Sequence, residues 1–220
     1  MNRQLKIKKE FKNLIRPLRR QEYLQLEENI LRDGCREPII TWDGFIIDGH
    51  NRYEICTKHN IEYATCEMKF DSDEDAIAWI CANQLGRRNI SDETRKFLIG
   101  MQYESEKIIN SRKNATGNNQ YSSEDDFVQG RSEIAPYSER SVHKTAQRIS
   151  EENHIAPGTV LKYAQYTRAL EAIGSKEPEL VPKILSGRYK IAHKNVIKMS
   201  ELTEKELKTV NKHLNRSRNP

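Results

Sequence analysis

The chain lacks an apolar run of the length that a membrane-spanning helix needs, which is about 20 residues. Its N-terminus is polar and has no apolar core, so the sequence shows no signal peptide. None of the four cysteines, Cys35, Cys56, Cys66 and Cys81, forms a C-x-x-C pair, which argues against a zinc site. We therefore expect a cytoplasmic protein with reduced, mostly buried thiols, no metal of its own and no membrane partner.

Positive charge is concentrated at the two ends of the chain. Residues 1–20 carry eight Lys or Arg and one Glu, and residues 141–220 carry fifteen Lys or Arg and eight Glu. The net charge of the whole chain is only +5, so the segment between these ends is acidic. Basic ends favour a phosphate-rich partner, although an ordinary solvated surface is compatible with the same composition.

The spacing of apolar residues divides the chain into a mixed segment and a helical segment. Short β-branched runs at 38–42 and 45–47 flank Asp43-Gly44, which is a strong hairpin signal, and helical periods surround this hairpin. A polar stretch that is poor in apolar residues follows the long helix that begins near Asp92. We expect a domain at 1–113 that ends in this helix, a flexible linker at 114–140 and a helical domain at 141–220.

A candidate anion site lies where the second strand meets the following helix, at Asp48-Gly49-His50-Asn51-Arg52. The first N–H groups of a helix point outward, and the helix dipole adds partial positive charge there. Gly49 lets the backbone approach a phosphate, Arg52 can supply a bidentate donor fork, and His50 and Asn51 add neutral donors. The alternative is a plain turn in which Arg52 forms a surface ion pair.

The stretch from Leu14 to Tyr53 resembles the N-terminal domain of the ParB/sulfiredoxin superfamily. The matching elements are Ile15-Arg16-Pro17, Leu26–Ile30, Asp33-Gly34, Pro38–Ile40 and Ile47–Tyr53. The resemblance covers roughly residues 11–113, and it implies a small mixed sheet with helices around it. The expected fold class is therefore α+β, with an all-α domain following the mixed-sheet domain.

Two motifs of that family imply a nucleotide pocket. The family's G-E-R-R phosphate motif reads Gly49-His50-Asn51-Arg52 here, and its E-N-x-x-R element is matched loosely by the run Ala82–Arg88. The resemblance implies that CTP or another nucleotide, with Mg²⁺, is bound by Gly49, His50, Asn51, Arg52, Asn83, Arg87 and Arg88. Ala82 replaces a Glu that resembles a magnesium ligand, so we expect a weak or absent CTPase-like activity.

The segment Val142–Ile173 has the layout of a helix-turn-helix and is similar to the central helix-turn-helix of ParB proteins. The predicted DNA contacts are polar positions away from its apolar stripe: Thr145, Gln147, Gly158, Thr159, Lys162, Gln165, Tyr166 and Arg168. Gln165 is suited to adenine and Arg168 to guanine or phosphate, whereas Thr145 and Gln147 would contact the DNA backbone. The alternative is a helical bundle with a polar surface.

The order of the two segments favours a ParB-like DNA-binding protein in the partition or regulation of a plasmid, phage or other mobile element. The resemblance implies a homodimer on duplex DNA, associated with the nucleoid or a plasmid, that binds a nucleotide and works with a partner ATPase. These implications, and the location they suggest, are expectations from the family.

Enzymes of the same superfamily are the alternative. A kinase similar to the free serine kinases would use Asp48 or Glu37 as a base and His50 as a phosphate contact. A ParB-like nuclease would need the carboxylates of residues 71–75 for a metal ion. Sulfiredoxin activity is disfavoured, because His50 stands where that enzyme has its catalytic cysteine. The helix-turn-helix favours the DNA binder, since a small-molecule kinase has no use for one.

Overall fold

The computed structural model describes residues 4–87, 89–116 and 137–216, and the chain divides into two compact units, Met1–Ile90 and Ser91–Pro220. The elements of the first unit are α1 (Lys9–Leu14), α2 (Arg20–Asp33), β1 (Ile39–Trp42), β2 (Phe45–Asp48), α3 (His50–His59), β3 (Thr65–Glu67) and α4 (Asp73–Leu85). Strand β1 lies in the middle of the sheet, antiparallel to β2 and parallel to β3. A small mixed sheet surrounded by helices confirms the α+β expectation for this part of the chain.

The β1–β2 hairpin turns at Asp43-Gly44, as the sequence predicts. Both residues are left-handed, with φ of 48° and 76°, which is the conformation that a two-residue type I′ turn requires. Glu67 of β3 holds this turn from the side. Its carboxylate accepts from the Asp43 amide at 2.7 Å and from the Thr41 hydroxyl at 2.6 Å. Glu67 therefore ties the turn and the end of β1 to β3.

The core of the first unit lies between the sheet and its helices, where α2 packs on α3 and α1 packs on α4. Its fully buried apolar side chains include Phe11, Ile39, Ile46, Ile47, Ile55 and Ile80. Each such side chain contributes roughly 1.5–3 kcal/mol by leaving water. This core holds the end of β2 and the start of α3 in fixed positions.

Some boundaries differ from the sequence expectation for local reasons. Helix α3 begins at His50, three residues earlier than its apolar period indicates, because Gly49 at φ 93° turns the chain directly from β2 into the helix. Strand β3 is short, because it pairs with β1 over three residues only. Helix α4 begins at Asp73 because Ser72 caps it, with the Ser72 hydroxyl accepting from the Asp75 amide at 3.3 Å.

The second unit is helical throughout its described residues. Its elements are α5 (Asp92–Thr116), α6 (Tyr137–Asn153), α7 (Pro157–Lys176), α8 (Leu180–Leu185), α9 (His193–Ser200) and α10 (Glu204–Arg216). Helix α7 is central and packs against the other five helices. Its side chains Val160, Ala164, Leu170 and Ile173 are buried. The all-α expectation for the second half is confirmed.

The long helix α5 groups with the second unit, whereas the sequence predicts it at the end of a domain at 1–113. Its residues Leu98, Ile99 and Tyr103 are buried, and the carbonyl of Phe97 accepts a hydrogen bond from the Thr167 hydroxyl of α7 at 2.9 Å. Packing on α7 therefore gives α5 its core. Most of the predicted linker at 114–140 lies outside the described residues, so that linker stays a prediction.

Within the described ranges, no helix is both long enough and apolar enough to cross a membrane.

Candidate functional site

The strand-to-helix turn at Gly49 brings a guanidinium group over the start of α3. A Cβ atom at Gly49 would lie 3.1 Å from an Nη atom of Arg52, so this side chain folds back over the turn. Helix α3 has no side-chain cap on its first turn. The first amide N–H groups of such a helix attract anions, and the dipole of the helix adds to that attraction.

Asp48 fixes two arginines at this turn. One of its carboxylate oxygens accepts from Arg87 at 2.7 Å, and the other accepts from Arg52 at 3.4 Å. Arg52 also donates to the carbonyl of Pro38 at 3.1 Å and pairs with the Glu37 carboxylate at 3.3 Å. Because Asp48 is buried, its charge holds both guanidinium groups at the protein surface beside the helix start.

The two guanidinium groups keep donors for a ligand. The Nε atom of Arg52 is buried and has no hydrogen-bond partner in the part of the chain that the structure describes. The Arg87 side chain is more exposed than that of Arg52. When the Gln84 amide is oriented with its oxygen facing Arg87, that oxygen accepts from the Arg87 Nη and Nε atoms at 3.2 and 3.3 Å. An arginine has five N–H donors, so each side chain can bind a phosphate oxygen while it remains paired with Asp48.

His50 is the first residue of α3 and is only 5% exposed. Neither of its ring nitrogens has a hydrogen-bond partner among the described residues. Burial, helped by the nearby Lys12 ammonium and opposed by the Asp48 carboxylate, lowers the pKa of His50 to about 4. The ring is therefore neutral at pH 7, with one nitrogen able to donate and the other able to accept.

The buried imidazole predicts a specific pH dependence of stability. The pKa of His50 is about 4 in the folded chain and about 6.5 when unfolded, so the unfolded chain takes up the proton first as pH falls. We expect the first unit to lose up to about 3 kcal/mol between pH 6.5 and pH 4. Urea unfolding followed by fluorescence measures this directly, because both tryptophans, Trp42 and Trp79, lie in the first unit.

Two variants separate the contribution of His50 to this pH dependence from that of other groups. His50→Leu should flatten the stability profile over this pH range, whereas His59→Asn, on the same helix, should leave it in place. His59 is a suitable control because its ring lies near the surface against Glu27, at 2.7 Å. A wild-type slope that survives unchanged in His50→Leu would show that another group is responsible.

The structure brings together part of the predicted pocket. Gly49, Arg52 and Arg87 meet at Asp48, His50 is buried in the same turn of α3, and Asn51 is half-buried there. The remaining predicted residues are not gathered in this way: Asn83 is exposed on α4, and Arg88 lies outside the described residues.

Two residues that complete this cluster were not among the predicted pocket residues. Asp48 had a sequence signal, because it directly precedes the glycine of the motif. Gln84 had none, since its contact with Arg87 depends on where the end of α4 lies.

A second candidate surface lies on α6 and α7, which are joined by the turn His154–Ala156. His154 is left-handed, with φ 54°, and Pro157 occupies the first position of α7, where its missing N–H costs nothing. Five predicted DNA contacts are exposed, namely Gln147, Gly158, Lys162, Gln165 and Arg168, and Thr159 is half-buried. Arg168 forms an ion pair with Glu104 of α5. Most of the predicted set therefore remains accessible to a duplex.

Tyr166 and Thr145 are buried, so the structure removes them from the predicted DNA contacts. Tyr166 is 1% exposed, and its ring stacks on His193 with centroids 5.3 Å apart. The Thr145 hydroxyl accepts from the Asn110 amide at 2.9 Å. Tyr166 lies outside the apolar stripe of α7, so the sequence predicts an exposed side chain. Helix α9 packs over that side of α7 and buries it.

Further basic groups lie beside this surface and were not predicted as contacts. The pKa of His193 is lowered by burial and by the ammonium groups of Lys96 and Lys162, which places both lysines close to the ring. Lys194 is exposed on the next position of α9. Because Lys96 and His193 come from helices distant in sequence, no local motif could indicate their proximity to Lys162.

Solved structures share this fold. The chain is similar to a structure of the C2221 form of a Pnob8-like ParB-N domain, with 19% sequence identity and a TM-score of 0.51; the match covers 88% of this chain and 74% of that chain. A second structure, of a pNOB8-like ParB N-domain, matches with 22% identity and a TM-score of 0.51, over 88% of this chain and 69% of that one. No protein-family model and no curated protein sequence matches the chain. The resemblance to the ParB N-terminal domain is thus confirmed at the level of the fold.

Proposed function

We propose that this chain is a ParB-like DNA-binding protein that acts in the partition or regulation of a plasmid, phage or other mobile element. The observation that carries the proposal is the exposed face of α7. Gly158, Lys162 and Gln165 are spaced by four and three residues, which places them on one side of the second helix of a helix–turn–helix pair. The similarity in fold to ParB N-domains supports the same reading.

This face has the chemistry that the major groove requires. Gln165 can bind adenine through two hydrogen bonds, and Lys162 can bind a phosphate. A Cβ atom at Gly158 would meet nothing within 4 Å, so packing does not require a glycine there. We propose that it allows the DNA backbone to come close to the start of α7. Arg168 would exchange its partner Glu104 for a phosphate or a guanine.

Binding to duplex DNA across a salt series tests this proposal. Wild-type affinity should fall steeply with salt, because each neutralised phosphate releases counterions. Lys162→Ala should weaken binding about tenfold and reduce the slope of log affinity against log salt by about one. Fluorescence anisotropy with labelled duplexes measures both quantities.

Lys205→Ala is the matched control for this experiment. Lys205 is an exposed lysine on α10 of the same unit, so its removal changes the net charge equally without touching the α7 face. We expect less than about a twofold change in affinity. Duplex binding that is absent, or that is independent of salt, would overturn the proposal.

The second proposed activity is binding of CTP or another nucleotide at the start of α3. It is supported by the two guanidinium groups on Asp48, the uncapped helix start and the left-handed Gly49. These residues fit the phosphates of a nucleotide and not a separate metal. The side chain of Ala82 carries no oxygen, and both carboxylate oxygens of Asp48 accept from arginine. Magnesium therefore enters this proposal only with the nucleotide, and we expect weak or absent hydrolysis.

Calorimetric titration with CTP, ATP, GTP and ADP, each with magnesium, tests the pocket. Binding of one of these without turnover supports the proposal, and failure of all four contradicts it. Phosphoryl transfer to free serine would instead favour the kinase alternative, in which Asp48 or Glu37 acts as a base. Pairing of Asp48 with two arginines argues for a positioning role, because both of its carboxylate oxygens are already engaged by arginine.

A homodimer and a partner ATPase belong to the same proposal. Sedimentation analysis of the full chain, with and without duplex DNA and nucleotide, tests the dimer.

A further inference from the structure

Two cysteines of the first unit lie against each other. Cys56 is fully buried on α3 in a cluster with Ile30 and Ile55, and Cys35, which follows the end of α2, packs on the same cluster. Cys35 thus shares a packing cluster with Cys56, and it is close enough to influence the Cys56 thiol. Cys81 is also buried, whereas Cys66 is exposed, so the expectation of mostly buried thiols holds for only part of the set. The pairing of Cys35 with Cys56 joins two segments that no cysteine motif connects.

The two thiols differ in their access to solvent. Burial, together with the neighbouring Cys35, raises the pKa of Cys56 to about 12, so this side chain is a protonated thiol at neutral pH. Cys35 is partly exposed and its Sγ–H donates to the carbonyl of Glu37 at 3.4 Å. A dissolved oxidant therefore meets Cys35 first, and Cys56 is placed behind it as the resolving thiol.

We infer that Cys35 and Cys56 form a peroxide-sensitive dithiol that closes to an intramolecular disulfide. In the first step, the Cys35 sulfur, as a thiolate, attacks one oxygen of hydrogen peroxide. The O–O bond breaks, the leaving hydroxide takes up a proton to become water, and Cys35 becomes a sulfenic acid. In the second step, Cys56 releases its proton and attacks the Cys35 sulfur, and the S–O bond breaks with loss of a second water. Two thiols are oxidised while one peroxide is reduced.

The disulfide would act on the proposed phosphate pocket through Arg52. The loop from Cys35 to Pro38 carries the thiol and also holds the guanidinium, through the Glu37 carboxylate at 3.3 Å and the Pro38 carbonyl at 3.1 Å. Cys56 lies one helical turn after Arg52 on α3. A covalent bond between loop and helix would hold Arg52 against the loop and restrict its reach toward an anion. This coupling rests on the proposed function of the pocket, whereas disulfide formation does not.

The test treats the reduced full chain with hydrogen peroxide, then alkylates the remaining thiols and maps peptides by mass spectrometry. We expect a peptide pair that joins Cys35 to Cys56 and an intact mass lower by two hydrogen atoms. The Cys66→Ser variant should give the same product as a monomer on a non-reducing gel, because Cys66 is the exposed thiol that could link two chains. Cys35→Ser should abolish the product.

Three outcomes overturn parts of this inference separately. Oxidation that leaves Cys35 and Cys56 both free in wild type and in Cys66→Ser overturns the dithiol. A disulfide that forms while nucleotide affinity stays the same overturns only its coupling to Arg52; we expect affinity to fall about threefold or more. Failure of the reduced protein to bind any nucleotide counts against the proposed pocket and leaves the dithiol result unaffected.

Discussion

Gly100→Ala should cost the second unit about 3 kcal/mol or more of its free energy of unfolding. Gly100 lies where α5 meets α7, and a Cβ atom there would be 2.2 Å from the Thr167 hydroxyl and 2.3 Å from the carbonyl oxygen of Tyr163. The carbonyl belongs to the backbone of α7, so a side-chain rotation cannot relieve the overlap. The helices would have to separate, which would also strain the hydrogen bond from Thr167 to Phe97.

The unfolding of the two units can be followed with two different spectroscopic signals. Both tryptophans lie in the first unit, so fluorescence follows that unit, whereas circular dichroism at helical wavelengths is dominated by the longer helices of the second. Gly100→Ala should shift the dichroism transition to lower denaturant and leave the fluorescence transition in place. An unshifted dichroism transition would contradict the close approach of α5 to α7.

Gly158→Ala is the matched control for this experiment. It is also a glycine in a helix of the second unit, but its Cβ atom would meet nothing within 4 Å. Alanine is preferred to glycine in a helix, so this variant should gain roughly 0.5–1 kcal/mol. A lower free energy of unfolding for Gly100→Ala together with a higher one for Gly158→Ala would separate the effect of steric overlap from that of helix propensity.

Arg52→Ala should reduce nucleotide affinity by about tenfold or more and cost the first unit roughly 1–3 kcal/mol. The guanidinium of Arg52 contacts Asp48, Glu37 and the carbonyl of Pro38 at once. Its loss would leave the buried Asp48 with Arg87 as its remaining ion-pair partner among the described residues, and would remove a phosphate donor from the turn. Calorimetry and fluorescence-detected unfolding measure the two effects on the same preparation.

Arg36→Ala controls for the loss of an arginine near the same loop. Arg36 is 75% exposed and pairs with Asp33 at 3.1 Å, so its removal should change stability by less than about 0.5 kcal/mol. Arg52→Lys keeps the charge but not the donor fork, and it should bind nucleotide more weakly than wild type. A folded Arg52→Ala variant with wild-type affinity would show that the ligand binds elsewhere.

Several local features follow from short stretches of sequence. Asp43-Gly44 produces the hairpin because only a few residue types accept two left-handed conformations in succession. Gly34, with φ 77°, follows the end of α2 for a similar steric reason. Ser91 caps α5 by accepting from the Thr94 amide at 3.0 Å, as its position before the helix predicts. Each of these depends on neighbours within a few residues.

Other features depend on contacts between distant positions. Arg87 reaches Asp48 across 39 residues, and the burial of Tyr166 depends on α9 packing over it. The same holds for α5, which completes the second unit because Gly100 lets it approach α7 closely. The spacing of residues within a short segment does not indicate which distant side chain will contact that segment in the folded chain.

Local sequence predicts the Asp43-Gly44 turn, the Gly34 end of α2, the Ser91 cap of α5, the mixed-then-helical order and the glycine–arginine motif, because backbone sterics and residue periodicity act over a few residues. The tertiary structure alone establishes which predicted residues share a site. It joined Arg52 and Arg87 through Asp48, placed Cys35 on Cys56, and withdrew Tyr166 from the DNA-facing surface. These outcomes follow from how the helices pack, since packing sets both the distances between side chains and their exposure to water.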